Sequence, residues 1–380
     1  MIPRFLEDFR LEVYLGQHEF SARYHLTASD AQTLKISELL KMCTDEERMA
    51  FMELPLMYHP TWGSEELRCE IASTYQNCTS HDVLVCAGAE EALFWAMIES
   101  VGPGDHAIVT YPNYQSSEAV PYACGVDLTG VPLEVEGSWA LDLDRIADAI
   151  RPNTRLVAVN FPSNPTGFIP NEADFSQLIA LCDGYGIRLL CDEIYRGLEL
   201  DRSKRLTQAA DLSDNAVSVN AMSKSYGLPG LRIGWVTTRD HAFLERLEKS
   251  KHYTSICNAA PSEALATIAL RNGEAIQDRN RGIIRENLPV FDQFFQRWED
   301  RFEWYHPDGG CVCFPRYLGE EGAEALCNQA IEQEGVVLLP PSIYHSLLGP
   351  TPMDRFRIGV GRRGVENALE AFDRVIQRQN

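Results

Sequence analysis

Short apolar runs punctuate this chain: Val83-Leu84-Val85-Cys86, Ala107-Ile108-Val109, Val126-Asp127-Leu128, Leu156-Val157-Ala158-Val159, Arg188-Leu189-Leu190-Cys191 and Ala216-Val217-Ser218-Val219. They are mostly continuous rather than alternating with polar residues, which suits strands buried on both faces of a sheet. Helical stretches separate them, among them Glu90 to Glu99 and Glu172 to Tyr185. This β-α alternation predicts an α/β fold: a large domain with a mostly parallel sheet between helices. Right-handed crossovers then bring the loops that follow the strands to one rim, where layered sheets bind ligands.

Either side of this region the pattern differs. The first fifty residues predict a helix around Arg4 to Leu15, an irregular stretch from His18 to Asp30, and a helix from Leu34 to about Cys43. Ser64 is a candidate N-cap for a helix carrying Leu67, Ile71 and Ala72 on one face. A long helical stretch is expected from Asp240 to about Gln296. Beyond Phe302, strands at Val312-Cys313-Phe314 and Phe356-Arg357-Ile358-Gly359-Val360 flank a helix from Gly322 to Gly335. We expect residues 51–275 to form the large domain, and residues 1–50 to join residues 276–380 in a smaller α+β domain, packed tightly because no Gly/Ser-rich linker intervenes.

The net charge of −21 and scattered cations argue against nucleic acid or an acidic membrane surface as partner. No apolar run is long enough to span a membrane, and the first residues lack the apolar core of a signal peptide, so the cytoplasm is the expected location. The 11 cysteines are odd in number and form no Cys-x-x-Cys, which fits reduced core thiols. Cys311 and Cys313 share a strand face, but no nearby histidine completes a ligand set, and no metal is expected.

Chemistry-bearing residues fall just past the predicted strands. Gly88-Ala89-Glu90 opens a helix, whose free N–H groups attract anions; taken alone it reads as an ordinary strand-to-helix turn. Asn160-Phe161-Pro162-Ser163-Asn164-Pro165-Thr166-Gly167 is turn chemistry by itself. Asp192, at the end of an apolar strand, needs either a helix to cap or a permanent positive partner to stay ionised. Lys224 lies in Ser223-Lys224-Ser225-Tyr226-Gly227-Leu228-Pro229-Gly230-Leu231-Arg232, and is one of few lysines in an arginine-rich chain.

In order and spacing, from about Tyr58 to Arg357, these segments resemble the aspartate aminotransferase superfamily of pyridoxal-phosphate enzymes, the fold type I, class I/II group. The resemblance implies a pyridoxal 5'-phosphate cofactor joined to Lys224 as an imine. It implies that the backbone at Gly88, Ala89 and Glu90 holds the phosphate together with the Ser223 hydroxyl and the Arg232 guanidinium, and that Asp192 pairs with the pyridinium nitrogen. Asn164 and Tyr195 would hydrogen-bond the phenolic oxygen, Asn164 lying close to the substrate as well, and Tyr114 would stack on the ring. Tyr58 resembles a tyrosine that reaches the phosphate of a neighbouring subunit, so a homodimer with sites at its interface is implied; a core tyrosine is the other reading of Tyr58. Arg357 matches the arginine that clamps the substrate α-carboxylate, with Arg355, two residues away on the same strand face, as the alternative. Amino transfer between an L-amino acid and a 2-oxo acid is the activity implied, with Lys224, Asp192 and Tyr195 at its centre.

One segment departs from that pattern. Ordinary aminotransferases carry an apolar, glycine-containing lid where this chain has Tyr24-His25-Leu26-Thr27-Ala28-Ser29-Asp30. The Ser-Asp pair looks more like the amino-cyclopropane-carboxylate synthase and capreomycidine synthase branches, so a lyase, cyclase or oxidase of a specialised amino acid is the alternative outcome. Asp30 either faces the pocket, favouring an amine or guanidine tail on the substrate, or caps the next helix. A ligand sensor on the same scaffold is the reading from another class, and the intact lysine, aspartate and arginine set speaks against it.

Overall fold

The computed structural model describes residues 6–135 and 137–379. Its centre is a sheet of seven strands: β1 Val83–Cys86, β2 His106–Tyr111, β3 Asp127–Pro132, β4 Thr154–Asn160, β5 Arg188–Asp192, β6 Ala216–Ala221 and β7 Gly234–Thr237. Their spatial order is β1-β7-β6-β5-β4-β2-β3. β7 runs antiparallel to both of its neighbours, while the pairs among β2, β3, β4, β5 and β6 are parallel. Every residue of β1, β2, β6 and β7 is buried, as strands covered on both faces must be. β7 is not among the expected strands; its residues Gly234-Trp235-Val236-Thr237 begin two residues after Arg232 of the lysine motif.

Helices Ala89–Ser100 and Glu172–Tyr185 lie where the periodicity puts them. Ser64 caps the helix Glu65–Ala72 by accepting from Leu67 N, and Leu67, Ile71 and Ala72 are its buried face. The first helix spans Arg10–His18 rather than Arg4 to Leu15, and Arg4 and Phe5 lie outside the described residues. Its start is shifted because Gln115 pins the preceding chain, donating to the Asp8 carbonyl and accepting from Arg10 N, both at 2.9 Å. The helix expected from Leu34 to Cys43 is one turn, Ile36–Leu39, followed by a separate helix Asp45–Met52. Thr44 starts that second helix by a reciprocal cap with Glu47, which interrupts the first.

The long helical stretch divides into His241–Lys251, Ala260–Arg271 and Gly273–Arg297, so the expected boundary near 275 falls in the first turn of the last helix. The N-terminal segment joins the C-terminal part: Tyr24–His25 pairs in parallel with Val336–Val337, and Val312–Cys313 pairs antiparallel with Ile358–Gly359. One apolar cluster is continuous from Leu84 and Ala96 beside the sheet to Phe291, Phe356 and Phe372 in the C-terminal part. Phe294 stacks on Phe372 at a centroid distance of 5.2 Å within it. A shared core of this kind keeps the loops at the strand ends in fixed register with residues 24–32 and 311–361.

Candidate active site

The strand ends converge on a cavity of about 380 Å³ lined by Ser29, Ala89, Tyr114, Asp192, Lys224 and Arg232 among others. This volume lies within the range of small-molecule and cofactor sites. At one end is an anion cradle. Gly88 takes φ +89°, and a Cβ there would stand 2.5 Å from Arg232 Nη2, so only glycine lets the guanidinium lie over the turn that opens helix Ala89–Ser100. Arg232 itself is left-handed, at φ +51°, after the turn Pro229–Leu231. Ser223 and Glu90 line the same region. Burial pushes the Glu90 carboxyl up, and it bonds the Ser116 hydroxyl, which leaves the helix backbone and Arg232 as the groups suited to a phosphate.

Gly234 of β7 supports this cradle from below. A Cβ there would meet Gly88 C at 2.5 Å and Ala89 N at 2.6 Å, both backbone atoms that cannot swing aside. We expect Gly234→Ala to displace the cradle at an overpacking cost of about 1–3 kcal/mol, weakening cofactor binding by roughly 10–100-fold. Titration of the cofactor-free variant with pyridoxal phosphate, followed by absorbance, checks this; wild-type affinity would show that the cradle does not touch the phosphate.

At the centre, Asn160 and Asp192 stand opposite each other at the ends of β4 and β5. Asn160 donates to the Asp192 carbonyl at 2.9 Å and accepts from Asn164 N at 2.7 Å, so the first asparagine fixes the second. Burial raises the Asp192 carboxyl to about 7; a hydrogen bond from Ile194 N and the Lys224 charge pull the other way, and Glu90 adds to the rise. A cation placed against it would restore the carboxylate. The Tyr195 hydroxyl is buried beside Ser29 and makes no well-aligned hydrogen bond. Tyr114 lines the cavity and packs against Phe9, ring centroids 5.2 Å apart. A buried acid with no cation bonded to it, a buried tyrosine hydroxyl and a glycine-lined anion cradle together fit a phosphorylated pyridinium aldehyde.

Lys224 Nζ donates to Ser29 Oγ at 2.6 Å. Its pKa is lowered chiefly by burial, with Arg357 contributing, while Asp30, Cys311 and Glu12 oppose. A buried amine with a depressed pKa is the state that attacks an aldehyde and later accepts a proton.

Arg357 is 1% exposed and donates from Nη1 to Asn164 Oδ1 at 3.1 Å and to the Tyr344 hydroxyl at 2.8 Å, and from Nη2 to the Thr27 carbonyl at 2.9 Å. Its Nε is buried and unpartnered. Arg355 points elsewhere, donating to Glu134 at 3.2 Å and to the Phe314 carbonyl at 3.2 Å, with its guanidinium over Trp139. Arg357 does not itself line the cavity but bonds Asn164, which does, whereas Arg355 turns away toward Glu134 and Trp139.

Two expectations for Asp30 are corrected. It caps no helix, since the next begins after Lys35. Nor is it part of the cavity wall: Arg362 holds both carboxylate oxygens, at 2.8 and 2.9 Å from Nη2, so its charge is paired away from a substrate cation. Ser29, one residue earlier, takes its place in the wall. Tyr58 is 83% exposed and outside the cavity. His18 packs on Tyr14, and His25 pairs with Val337; neither lines the cavity. Among the described residues, no His, Cys, Asp and Glu cluster could hold a metal.

The sequence reading missed Glu12, which lines the cavity between Phe9 and Leu15. The signal was present: an acid three residues from an apolar neighbour on each side shares their helix face. It also missed Tyr344 and the Thr27 carbonyl as partners of Arg357, which no local motif marks.

A mostly parallel sheet with Lys224, Asp192 and an anion cradle under Arg232 at its strand ends is suited to hold pyridoxal phosphate. The family model for aminotransferase class I and II matches residues 37–372, and the chain belongs to that family, which is pyridoxal-phosphate dependent. It is similar to capreomycidine synthase of Streptomyces vinaceus, at 29% identity over 97% of this chain and 94% of that protein. It is similar too to an arginine–pyruvate transaminase of Pseudomonas aeruginosa, at 27% identity over 84% and 81% respectively. Among solved structures, a pyridoxal-phosphate-dependent aminotransferase from Streptococcus suis superposes with a TM-score of 0.91 at 26% identity, covering 99% of each chain.

Proposed function

We propose that this enzyme takes an L-amino acid with a positively charged side chain and passes its amino group to a 2-oxo acid. The observation that carries the substrate reading is Glu12, an acid that lines the cavity from the N-terminal helix, with Arg357 beyond Asn164 to hold the α-carboxylate. Such a pair orients a substrate by its two ends. Bound in the cradle, the cofactor supplies the electron sink for negative charge at the substrate α-carbon. Asp192 would keep the ring nitrogen protonated, Asn164 and Tyr195 would hold the ring oxygen, Tyr114 would cover the ring, and Lys224 would move the α-proton. The transaminase similar to this chain is named for arginine, which agrees with a cationic tail.

A second reading ends in cyclisation, elimination, decarboxylation or oxidation instead. The polar Ser29 against Lys224 and the end-to-end likeness to a capreomycidine synthase support it. The two separate on acceptor dependence: incubation with arginine or lysine should yield the corresponding 2-oxo acid only when pyruvate or another 2-oxo acid is supplied. Product formed without an acceptor favours the second reading, and turnover restricted to neutral amino acids contradicts the cationic tail. Glu12→Gln should raise KM for cationic substrates about 5-fold, the worth of an ion pair near the surface at ~1 kcal/mol. An equal rise for a neutral amino acid would show that Glu12 does not read charge.

The assembly we propose is a cytoplasmic homodimer with a large domain near 51–275 and a smaller one from the two chain ends. The exposed run Leu56-Met57-Tyr58 supports it, since a second copy would cover this apolar surface and bring Tyr58 toward the partner's phosphate. Sedimentation at micromolar concentration checks the dimer.

A further inference from the structure

We infer that Ser29 is a positioning residue for Lys224, and that residues 26–32 form a strap tying the position of the catalytic amine to the arginine that holds the substrate carboxylate. This rests on the reading of Lys224 as the residue that carries the cofactor and moves the α-proton.

The strap is fastened at both sides. Toward the C-terminal part, Leu26 N bonds the Val337 carbonyl at 3.1 Å, Gly359 N bonds the Leu26 carbonyl at 2.7 Å, and Gln32 N bonds the Gly361 carbonyl at 2.9 Å. Arg357 Nη2 holds the Thr27 carbonyl at 2.9 Å. A Cβ on Gly359 would lie 2.1 Å from the Ala28 carbonyl oxygen, so the two backbones touch. Asp30 is locked by Arg362, its carboxylate 5% exposed as a residue. Toward the sheet, Ala31 N bonds the Lys224 carbonyl at 3.3 Å and Ser29 Oγ accepts from Lys224 Nζ at 2.6 Å.

Ser29 thus hangs from a segment with no local freedom, and its hydroxyl is aimed at the amine rather than at solvent. Asp30 and Arg362 make the anchor, not the contact. In the proton-moving step, the α-hydrogen leaves carbon for Lys224 Nζ, the C–H bonding pair stays on the substrate side, and the ammonium formed needs an acceptor. Ser29 Oγ supplies it at hydrogen-bond distance. The charged and titratable groups facing Lys224 are Asp30, Arg357, Cys311, Glu12 and Asp192, and no hydrogen bond joins any of them to Nζ. Ser29 is therefore the neutral group that fixes where the amine sits.

Two measurements test this with Ser29→Ala and Ser29→Thr. In the holoenzyme, exchange of the substrate α-proton in deuterated water, followed by NMR, should fall about 10–100-fold in Ser29→Ala, the worth of a hydrogen bond to a charged group, with cofactor absorbance retained and with Ser29→Thr restoring most of the rate. In the cofactor-free protein, pH-dependent labelling of Lys224 read by mass spectrometry should show a lower amine pKa in Ser29→Ala, because the hydroxyl no longer stabilises the ammonium. An unchanged exchange rate and labelling profile in Ser29→Ala, or a threonine variant as impaired as the alanine, overturns the inference. If wild type exchanges no α-proton from any amino acid, the proposed activity fails, and the labelling profile still decides the role of Ser29.

Discussion

Asp192→Asn is expected to bind pyridoxal phosphate yet lose about 30- to 5000-fold in kcat. The loss is that of truncating one partner of a buried, hydrogen-bonded charge pair, about 2–5 kcal/mol. Asparagine fills the same space and can still accept from Ile194 N, so geometry survives while the charge that keeps the ring nitrogen protonated is gone. A matching stability signature exists without the cofactor. Burial raises the native-state carboxyl from 3.8 to about 7, so between those values the unfolded chain releases a proton that the folded chain retains, and stability falls as pH rises through that window. Glu193 is also raised to about 7 by burial, so the variant should weaken this slope without abolishing it. Denaturant unfolding of cofactor-free protein between pH 5 and 8 reads the slope, and stopped-flow or steady-state kinetics read kcat. An unaltered slope together with wild-type kcat would remove Asp192 from the site.

Arg357→Leu should lower kcat/KM by roughly 10²–10³-fold, mostly through KM, if the guanidinium beside Asn164 exchanges its contacts with Tyr344 and Thr27 for the substrate carboxylate as proposed. It also frees the Thr27 carbonyl, Asn164 Oδ1 and the Tyr344 hydroxyl, each an unsatisfied group costing about 1–3 kcal/mol if water cannot reach it. Arg357→Lys is therefore the better-behaved companion: it keeps the charge, loses the fork, and should retain stability while KM stays high. Arg355→Leu should instead lower thermal stability by breaking its contact with Glu134 and leave KM alone. Reversal of the two arginine phenotypes would mean that the clamp has been assigned to the wrong residue.

What could be read before the structure follows from how local each signal is. The buried strands announce themselves by continuous apolar runs, and the residues at their ends, Gly88, Asn164, Asp192 and Lys224, sit in motifs a few residues long. β7 is not marked by a local pattern because Gly234 opens it, and glycine is a poor strand former; its reason for being there is the approach of Gly88 and Ala89 from the turn that opens helix Ala89–Ser100. Asp30 was given a role by its charge, yet its partner Arg362 lies 332 positions away. Ser29, the quieter half of the same pair, makes the contact with Lys224. Glu12 was legible in principle as an acid on an apolar helix face, but what that face covers depends on tertiary packing: Gln115 sets the helix start by holding Asp8 and Arg10.

Reduction of the holoenzyme with borohydride, followed by peptide mapping, tests the role of Lys224 most directly. The prediction is a single pyridoxyl adduct on Lys224, absent from Lys224→Ala. An adduct on Lys249 or Lys251, or none in wild type saturated with pyridoxal phosphate, would contradict it.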